Sequence, residues 1–331
     1  MLKLLKSNNP VNYLLAFLMM AALWSYKFAV MPTAVDAGGF HSYFFRFSYE
    51  SSLYQYIFTT IAFALAFAFA CYVSKANFRY QVVESGYQLP TLFFALLSGS
   101  VINAQRFIPE MLATIFLSIA VLRMFGMYNR REAIRDSLDI GLLFGFSLLF
   151  AYKYIVFLPA IIIVMAIVKP ISWRDIVSFS LSMTFVLGIA FCFVWLYGDW
   201  QELVESVRNE AEVMVVGEKY NYLNYLFRMP VIYAVLVSLL SIFTLKVFRK
   251  AAEMKYHHSM LFLLVYSGII MLLPISSNES VWLMYFPLSY LLSNVMVNAK
   301  NVIVQRLVLY GLLVCLVVSQ VLQAFYFYSI F

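Results

Sequence analysis

The stretch NAQRFIPEM, residues 103–111, places a base and an acid four residues apart between two long apolar runs. Pro109 suits the first position of a helix, because its fixed φ is helical and its missing N–H would be unbonded there. Glu110 then falls in the first turn, where the positive end of the helix dipole favours a carboxylate. The pattern predicts that Arg106 and Glu110 lie together at a helix boundary, either as a simple ion pair or as part of an anion-binding site.

Further polar residues occur at the ends of other apolar runs. Taken singly, each has a structural interpretation, since a carboxylate can start a helix and a cation can reach towards lipid headgroups. Taken together, they could bind an anionic lipid-linked substrate, with cations holding its phosphate and a carboxylate removing a proton from the attacking group. The candidate catalytic acids are Asp36, Glu50 and Glu110; the candidate phosphate ligands are Arg46, Arg106, Lys153 and Arg228; and the secondary candidates are His41, Asn278 and Glu279.

Other kinds of chemistry lack the residues they need. The chain has three histidines, and His41 falls on the opposite predicted side of the membrane from the other two, so they cannot share a metal site. No phosphate-binding or dinucleotide-binding glycine motif and no G-x-S-x-G nucleophile motif occurs. No basic run with interleaved aromatic residues points to nucleic acid. We therefore expect no metal and no cofactor, and the sequence gives no support for a divalent cation.

The elements that must position these residues are membrane helices. Of the 331 residues, 64% are apolar and only 12% are charged, about half the charged share of a soluble domain. The apolar residues come in unbroken runs and do not alternate as in the strands of a membrane barrel. The composition predicts an all-α, polytopic transmembrane bundle.

Hydropathy predicts about eleven spans, and loop charges predict their orientation. The basic residues concentrate in alternate loops, which places the N-terminus in the cytoplasm and the C-terminus outside. All the candidate site residues then lie on the outer side. The predicted spans are Val11–Val30, Tyr54–Ser74, Leu89–Ile102, Pro109–Met127, Leu138–Ala151, Ile155–Val168, Asp175–Tyr197, Leu226–Val247, His258–Leu273, Val281–Val297 and Leu307–Phe325.

Two outer loops are predicted to form amphipathic helices that lie flat on the membrane. The first carries Phe40, Tyr43, Phe44 and Phe47 at helical spacing, and the second has a continuous apolar face from Trp200 to Val215. No repeat or linker divides the chain. We expect one membrane domain over residues 1–331, within which 198–225 is the second amphipathic loop and 226–331 holds the C-terminal helices.

The text RFIPEMLATIFLSIAVLRMF, followed by EAIRDSLDIGLLFGFSLLFAYKYIVFLPAIIIVMAIV, resembles the third-to-sixth-helix region of GT-C glycosyltransferases, which use polyprenyl-phosphate sugars. The resemblance covers roughly the first 200 residues. It implies a sugar or glycan transferase at the outer leaflet of the bacterial inner membrane, with membrane lipid and a polyprenyl-phosphate-linked substrate as partners. It also implies that Asp36 or Glu50 is the catalytic base, that Glu110 is the second-loop acid, and that Arg106, Lys153 and Arg228 contact the phosphate.

The text SNNPVNYLL near the start of the chain and the PE at the start of the fourth span carry a second resemblance. Through them the chain resembles, across its whole length, a bacterial family of uncharacterised integral membrane proteins. Some members are labelled carotene monooxygenases, a function that the histidine count argues against. Two other functions remain open: a non-enzymatic membrane subunit of a cell-envelope assembly or secretion complex, with membrane-protein partners, and a transporter. The sequence shows no matched pair of broken helices in two halves, which disfavours the transporter.

Overall fold

The computed structural model of the chain describes residues 9–30, 40–41, 46–47, 52–83, 88–130, 132–198, 201, 204, 208, 228–239, 250–272, 278–299 and 301–330. These residues include eleven α-helices, numbered here in chain order: α1 Val11–Val30, α2 Ser52–Tyr80, α3 Leu89–Ser98, α4 Pro109–Phe125, α5 Ile134–Phe150, α6 Leu158–Val168, α7 Trp173–Tyr197, α8 Met229–Leu239, α9 Ala251–Leu272, α10 Trp282–Asn298 and α11 Val302–Ile330. Short 3-10 helices cover Ile102–Ala104, Tyr152–Phe157 and Asn278–Val281. The predicted helical class is therefore confirmed.

Each predicted span overlaps one of these helices, although the bounds differ and residues 240–247 of the eighth span lie outside the described residues. Within the described residues, four segments are long and apolar enough to cross a membrane, namely Val11–Ala29, Leu53–Tyr80, Trp173–Leu196 and Val302–Phe325. By contrast, α3 has only 10 residues, about half of what a span requires. Length and composition thus give the chain the character of a membrane protein, while eleven complete spans stay a prediction.

Successive helices run in opposite directions, so their ends gather at two ends of the bundle. At one end the Tyr256 hydroxyl donates to the Phe125 carbonyl at 2.9 Å, and Lys255 Nζ donates to the Val168 carbonyl at 3.0 Å. At the other end the Phe107 ring stacks on the Phe58 ring, 5.8 Å between centroids. We call these the Tyr256 end and the Arg106 end.

Helices α3 and α10 form the centre of the bundle. Every residue of α3 is buried, and so is α10 from Trp282 to Met296. The two helices pack against each other, for instance where the rings of Phe94 and Tyr285 meet edge to face at 6.5 Å. A helix that is apolar on all sides packs in an interior. Because α3 is surrounded by protein, it can be stable although it is the shortest of the described α-helices.

Helices α5 and α7 approach closely because α5 carries two glycines one turn apart. A Cβ at Gly141 would collide with Ser182 Oγ and the Phe179 carbonyl oxygen, and one at Gly145 would lie 2.9 Å from Val186 Cβ. Small residues at this spacing let helix backbones come together. The α5–α7 pair thereby fixes the C-terminal end of α5, from which the chain continues to Lys153.

One sequence prediction is wrong in the first outer loop. Phe40 pairs with Phe47, and His41 with Arg46, as two antiparallel strands and not as a helix. A spacing of seven residues brings Phe40 and Phe47 together in either structure, so the spacing alone could not distinguish them. In the second outer loop Gln201, Val204 and Arg208 are helical, and the rest of its predicted amphipathic face lies outside the described residues.

Candidate functional site

The start of α4 positions Glu110 as the sequence predicts. Ile108 precedes the helix in an extended conformation, with φ −130° and ψ 152°, as expected for a residue before proline. Pro109 occupies the first turn, and Glu110 is the acidic residue of that turn. The carboxylate therefore lies at the positive end of the α4 dipole, at the Arg106 end of the bundle.

The ion-pair partner of Glu110 is Lys153 and not the expected Arg106. Lys153 Nζ lies 2.7 Å from Glu110 Oε1, and the two side chains are only 15% and 14% exposed. Arg106 also attracts the carboxylate electrostatically, but more weakly than Lys153 does. The structure therefore brings together three of the predicted site residues, two cations and one acid.

A set of hydrogen bonds fixes the 3-10 helix that carries Lys153. The hydroxyl of the buried Tyr154 donates to the Glu110 carbonyl at 3.2 Å and shares a 2.9 Å hydrogen bond with the Thr114 hydroxyl. On the other side, the Tyr266 hydroxyl of α9 donates to the Val156 carbonyl at 2.6 Å. Because this segment is tied to both α4 and α9, the Lys153 ammonium group is held next to Glu110 before any ligand arrives.

Arg228 approaches the same region from another direction. It lies close enough to the Tyr285 hydroxyl to act on it electrostatically. That hydroxyl is 2.9 Å from Ser100 Oγ, and the neighbouring Trp282 donates from its indole nitrogen to the Ala104 carbonyl at 3.1 Å. Arg228 thus acts on a hydroxyl that is hydrogen-bonded to the beginning of the connection between α3 and α4, residues 99–108, and Arg106 lies near the end of that connection.

The remaining candidates are only partly described. Asp36 and Glu50 lie outside the described residues. His41 and Arg46 are described as paired strand backbone. Asn278 and Glu279 belong to the 3-10 helix Asn278–Val281, which contacts Ile102–Ala104 and the start of α4 at the Arg106 end. This segment therefore lies at the same end of the bundle as Arg106 and Glu110, as the sequence predicts.

The sequence candidates do not include the polar residues that hold the connection 99–108 in place. These are chiefly Ser100, within the connection, together with Tyr285 of α10 and two glutamines of α11. The glutamines and the tyrosine could have been noticed as polar side chains inside apolar helices, because such side chains usually have a buried hydrogen-bond partner. Their partners are about 185 or more residues away along the chain. No local pattern connects residues at such separations.

Among the described residues, no three or more His, Cys, Asp or Glu side chains form a group that could hold a metal ion. His257 is buried at the Tyr256 end, where its Nδ1 lies 2.8 Å from Asn294 Nδ2. That histidine therefore belongs to a packing contact away from Glu110.

The chain belongs to the family described as "Family of unknown function (DUF6427)", whose profile matches residues 1–328. No curated protein and no solved structure matches the chain significantly. The expectation of an uncharacterised family is thus confirmed over nearly the whole chain. The family carries no assigned activity, so the resemblance to GT-C glycosyltransferases stays a prediction.

Proposed function

We propose that this protein is a GT-C-like membrane glycosyltransferase that takes a sugar or glycan from a polyprenyl-phosphate-linked donor at the outer leaflet of the bacterial inner membrane. One observation carries the proposal: Arg106 and Lys153, from separate elements, both act on Glu110 at the end of the bundle that Arg228 also approaches. Cations from several elements at one helix boundary can bind a phosphate group and stabilise its negative charge. Loop charges support the outer location, because basic residues concentrate on the opposite side.

In the proposed reaction, an acceptor hydroxyl attacks the anomeric carbon of the donor sugar. A carboxylate, Asp36 or Glu50, takes the hydroxyl proton as the new C–O bond forms. The bond between the sugar and the phosphate oxygen breaks, and the polyprenyl phosphate leaves with the bonding electrons. Arg106, Lys153 and Arg228 stabilise the negative charge that grows on that phosphate.

Glu110 acts in this scheme by holding Lys153. Its carboxylate is 2.7 Å from the ammonium group and mostly buried, so it keeps the lysine directed towards the phosphate position. When a donor phosphate binds, Lys153 can share its remaining N–H groups with it, because an ammonium group has three donors. Loss of Glu110 should therefore weaken donor binding even though Glu110 does not touch the reacting atoms.

The test is native mass spectrometry of the detergent-purified protein, which detects a bound polyprenyl phosphate by its mass. We expect the wild type to retain this lipid, and Lys153→Met and Glu110→Gln to retain much less. Asp175→Asn is a matched control, because Asp175 forms a buried ion pair with Lys169 at 3.2 Å at the Tyr256 end. A wild-type protein that binds added polyprenyl phosphate no better than the Lys153→Met variant would contradict the proposal.

A second candidate is a non-enzymatic subunit of a cell-envelope assembly. The observation that favours it is the same pairing, because Lys153 and Glu110 already neutralise each other inside the protein. Under this alternative the pair stabilises the bundle only. Glu110→Gln and Lys153→Met would then lower the thermal stability of the protein without changing which lipids co-purify.

A further inference from the structure

The connection between α3 and α4 lies inside the bundle and not on its surface. Helix α3 ends at Ser98, and a Cβ added to the next residue, Gly99, would lie 2.6 Å from Leu23 Cβ of α1. Helix α1 continues for seven residues beyond Leu23, which corresponds to about 10 Å at 1.5 Å per residue. The non-helical backbone after α3 is therefore surrounded by longer helices.

Two glutamines of the last helix, α11, satisfy this buried backbone. Gln323 accepts from the Ile102 N–H at 2.8 Å and donates to the Ser100 carbonyl at 3.0 Å. Gln320 donates to the Gly99 carbonyl at 2.8 Å and to the Leu23 carbonyl at 2.7 Å. We refer to Gln320 and Gln323 as the glutamine clamp.

A third glutamine, Gln105, links the residues held by the clamp to the candidate site. Gln105 is fully buried and donates to the Gly99 carbonyl at 3.1 Å, so the connection folds back on the residues that the clamp holds. The next residue is Arg106, and Glu110 lies four residues further on, in the first turn of α4. Non-helical backbone is tolerated at membrane depth only where protein groups satisfy it, and a glutamine amide can do so because it both donates and accepts.

We propose that Gln320 and Gln323 are positioning residues, which hold residues 99–105 so that Arg106 and Glu110 are presented to the phosphate of the donor. The inference rests on the proposed function for the identity of that ligand. It assigns α11 an indirect, positioning part in a site whose charged residues all come from other elements. Neither glutamine touches the ligand.

The first test measures the connection itself and requires no ligand. Ala104→Cys, at a fully buried position of the connection, in a background with Cys71, Cys192 and Cys315 changed to alanine, is labelled with a membrane-impermeant maleimide. Adding Gln323→Met, which keeps the side-chain length but removes both hydrogen-bonding groups, should raise the labelling rate about tenfold or more, since each 1.4 kcal/mol of opening free energy changes the open population tenfold. The matched control is Gln305→Met on the same helix, whose amide donates to the Ala299 carbonyl at 2.6 Å at the opposite end.

The second test measures retained polyprenyl phosphate by native mass spectrometry in the same two variants without the added cysteine. We expect Gln323→Met to lose most of the lipid and Gln305→Met to keep it at a similar melting temperature. Unchanged labelling of Ala104→Cys, or equal lipid retention in the two variants, would overturn the positioning role. If the wild type binds no polyprenyl phosphate, the proposed function fails, and the labelling rate alone decides whether the clamp holds the connection.

Discussion

At the scale of single residues, the pair of Glu110 and Lys153 has both a structural and a functional consequence. The two side chains are mostly buried and 2.7 Å apart, so each charge depends on the other for its stability. Removing one partner of such a pair leaves an unpaired charge, whereas removing both leaves none. Comparing the single variants with the double variant therefore separates the effect of the pair on protein stability from its proposed effect on lipid binding.

We predict that Glu110→Gln and Lys153→Met each lower the free energy of unfolding by about 3 kcal/mol, and that the double variant recovers most of this loss. The double variant recovers stability because neither charged side chain is left without its partner. Denaturant unfolding of the four proteins in detergent forms a double-mutant cycle that measures the coupling. Strictly additive losses would mean that the two side chains do not interact.

At the scale of secondary-structure elements, the close approach of α5 and α7 is the feature most sensitive to a small change. Gly145 faces Val186 across this interface, while Gly188 on α7 has no atom within 4 Å of an added Cβ. The two glycines occur in adjacent helices but in opposite environments. They offer a comparison in which the same substitution has different effects.

We predict that Gly145→Ala lowers the free energy of unfolding by about 1–3 kcal/mol, because Val186 must shift to admit the new methyl group. Gly188→Ala should leave it unchanged or raise it by up to about 1 kcal/mol, since alanine favours a helix over glycine. Thermal unfolding of both variants, followed by circular dichroism in one detergent, provides the measurement. A Gly145→Ala protein as stable as the wild type would show that α5 and α7 are farther apart than described.

At the scale of the whole molecule, the antiparallel order of the helices gives the bundle two distinct ends. The Arg106 end carries Glu110, Lys153 and Arg228, and the Tyr256 end carries Lys255 and the pair of Lys169 and Asp175. The proposed function requires the Arg106 end to face outwards. Loop charges predict that orientation independently of the site.

We predict that a reporter fused after Lys250 lies in the cytoplasm and that reporters fused after Gly217 and at Phe331 lie outside. The expected result follows from the concentration of lysine and arginine in alternate loops. Paired alkaline phosphatase and green fluorescent protein fusions measure both locations, and each serves as the control for the other. A cytoplasmic reporter at Phe331 would contradict an odd number of spans and put the Arg106 end of α11 on the inner side.

The sequence by itself determined the helical class, the approximate position of each described helix and the placement of Glu110 in a first turn, because these depend on local hydropathy and on proline geometry. It also named Lys153 and Arg106 as candidates. It could not determine which cation pairs with Glu110, since that choice depends on where the 3-10 helix after α5 places Lys153, 43 residues along the chain from Glu110.

Only the tertiary structure decided that α3 stops after 10 residues and that glutamines of α11 complete its connection to α4. It likewise decided that residues 40–41 and 46–47 pair as strands, although their aromatic spacing fits a helix equally well. For the connection after α3, the deciding partners lie 221 residues away along the chain. For the strands they lie five to seven residues away, but they are backbone groups, whose pairing the side-chain spacing does not specify. Hydropathy specifies which segments are buried, but buried polar groups are satisfied by contacts that only the packed bundle provides.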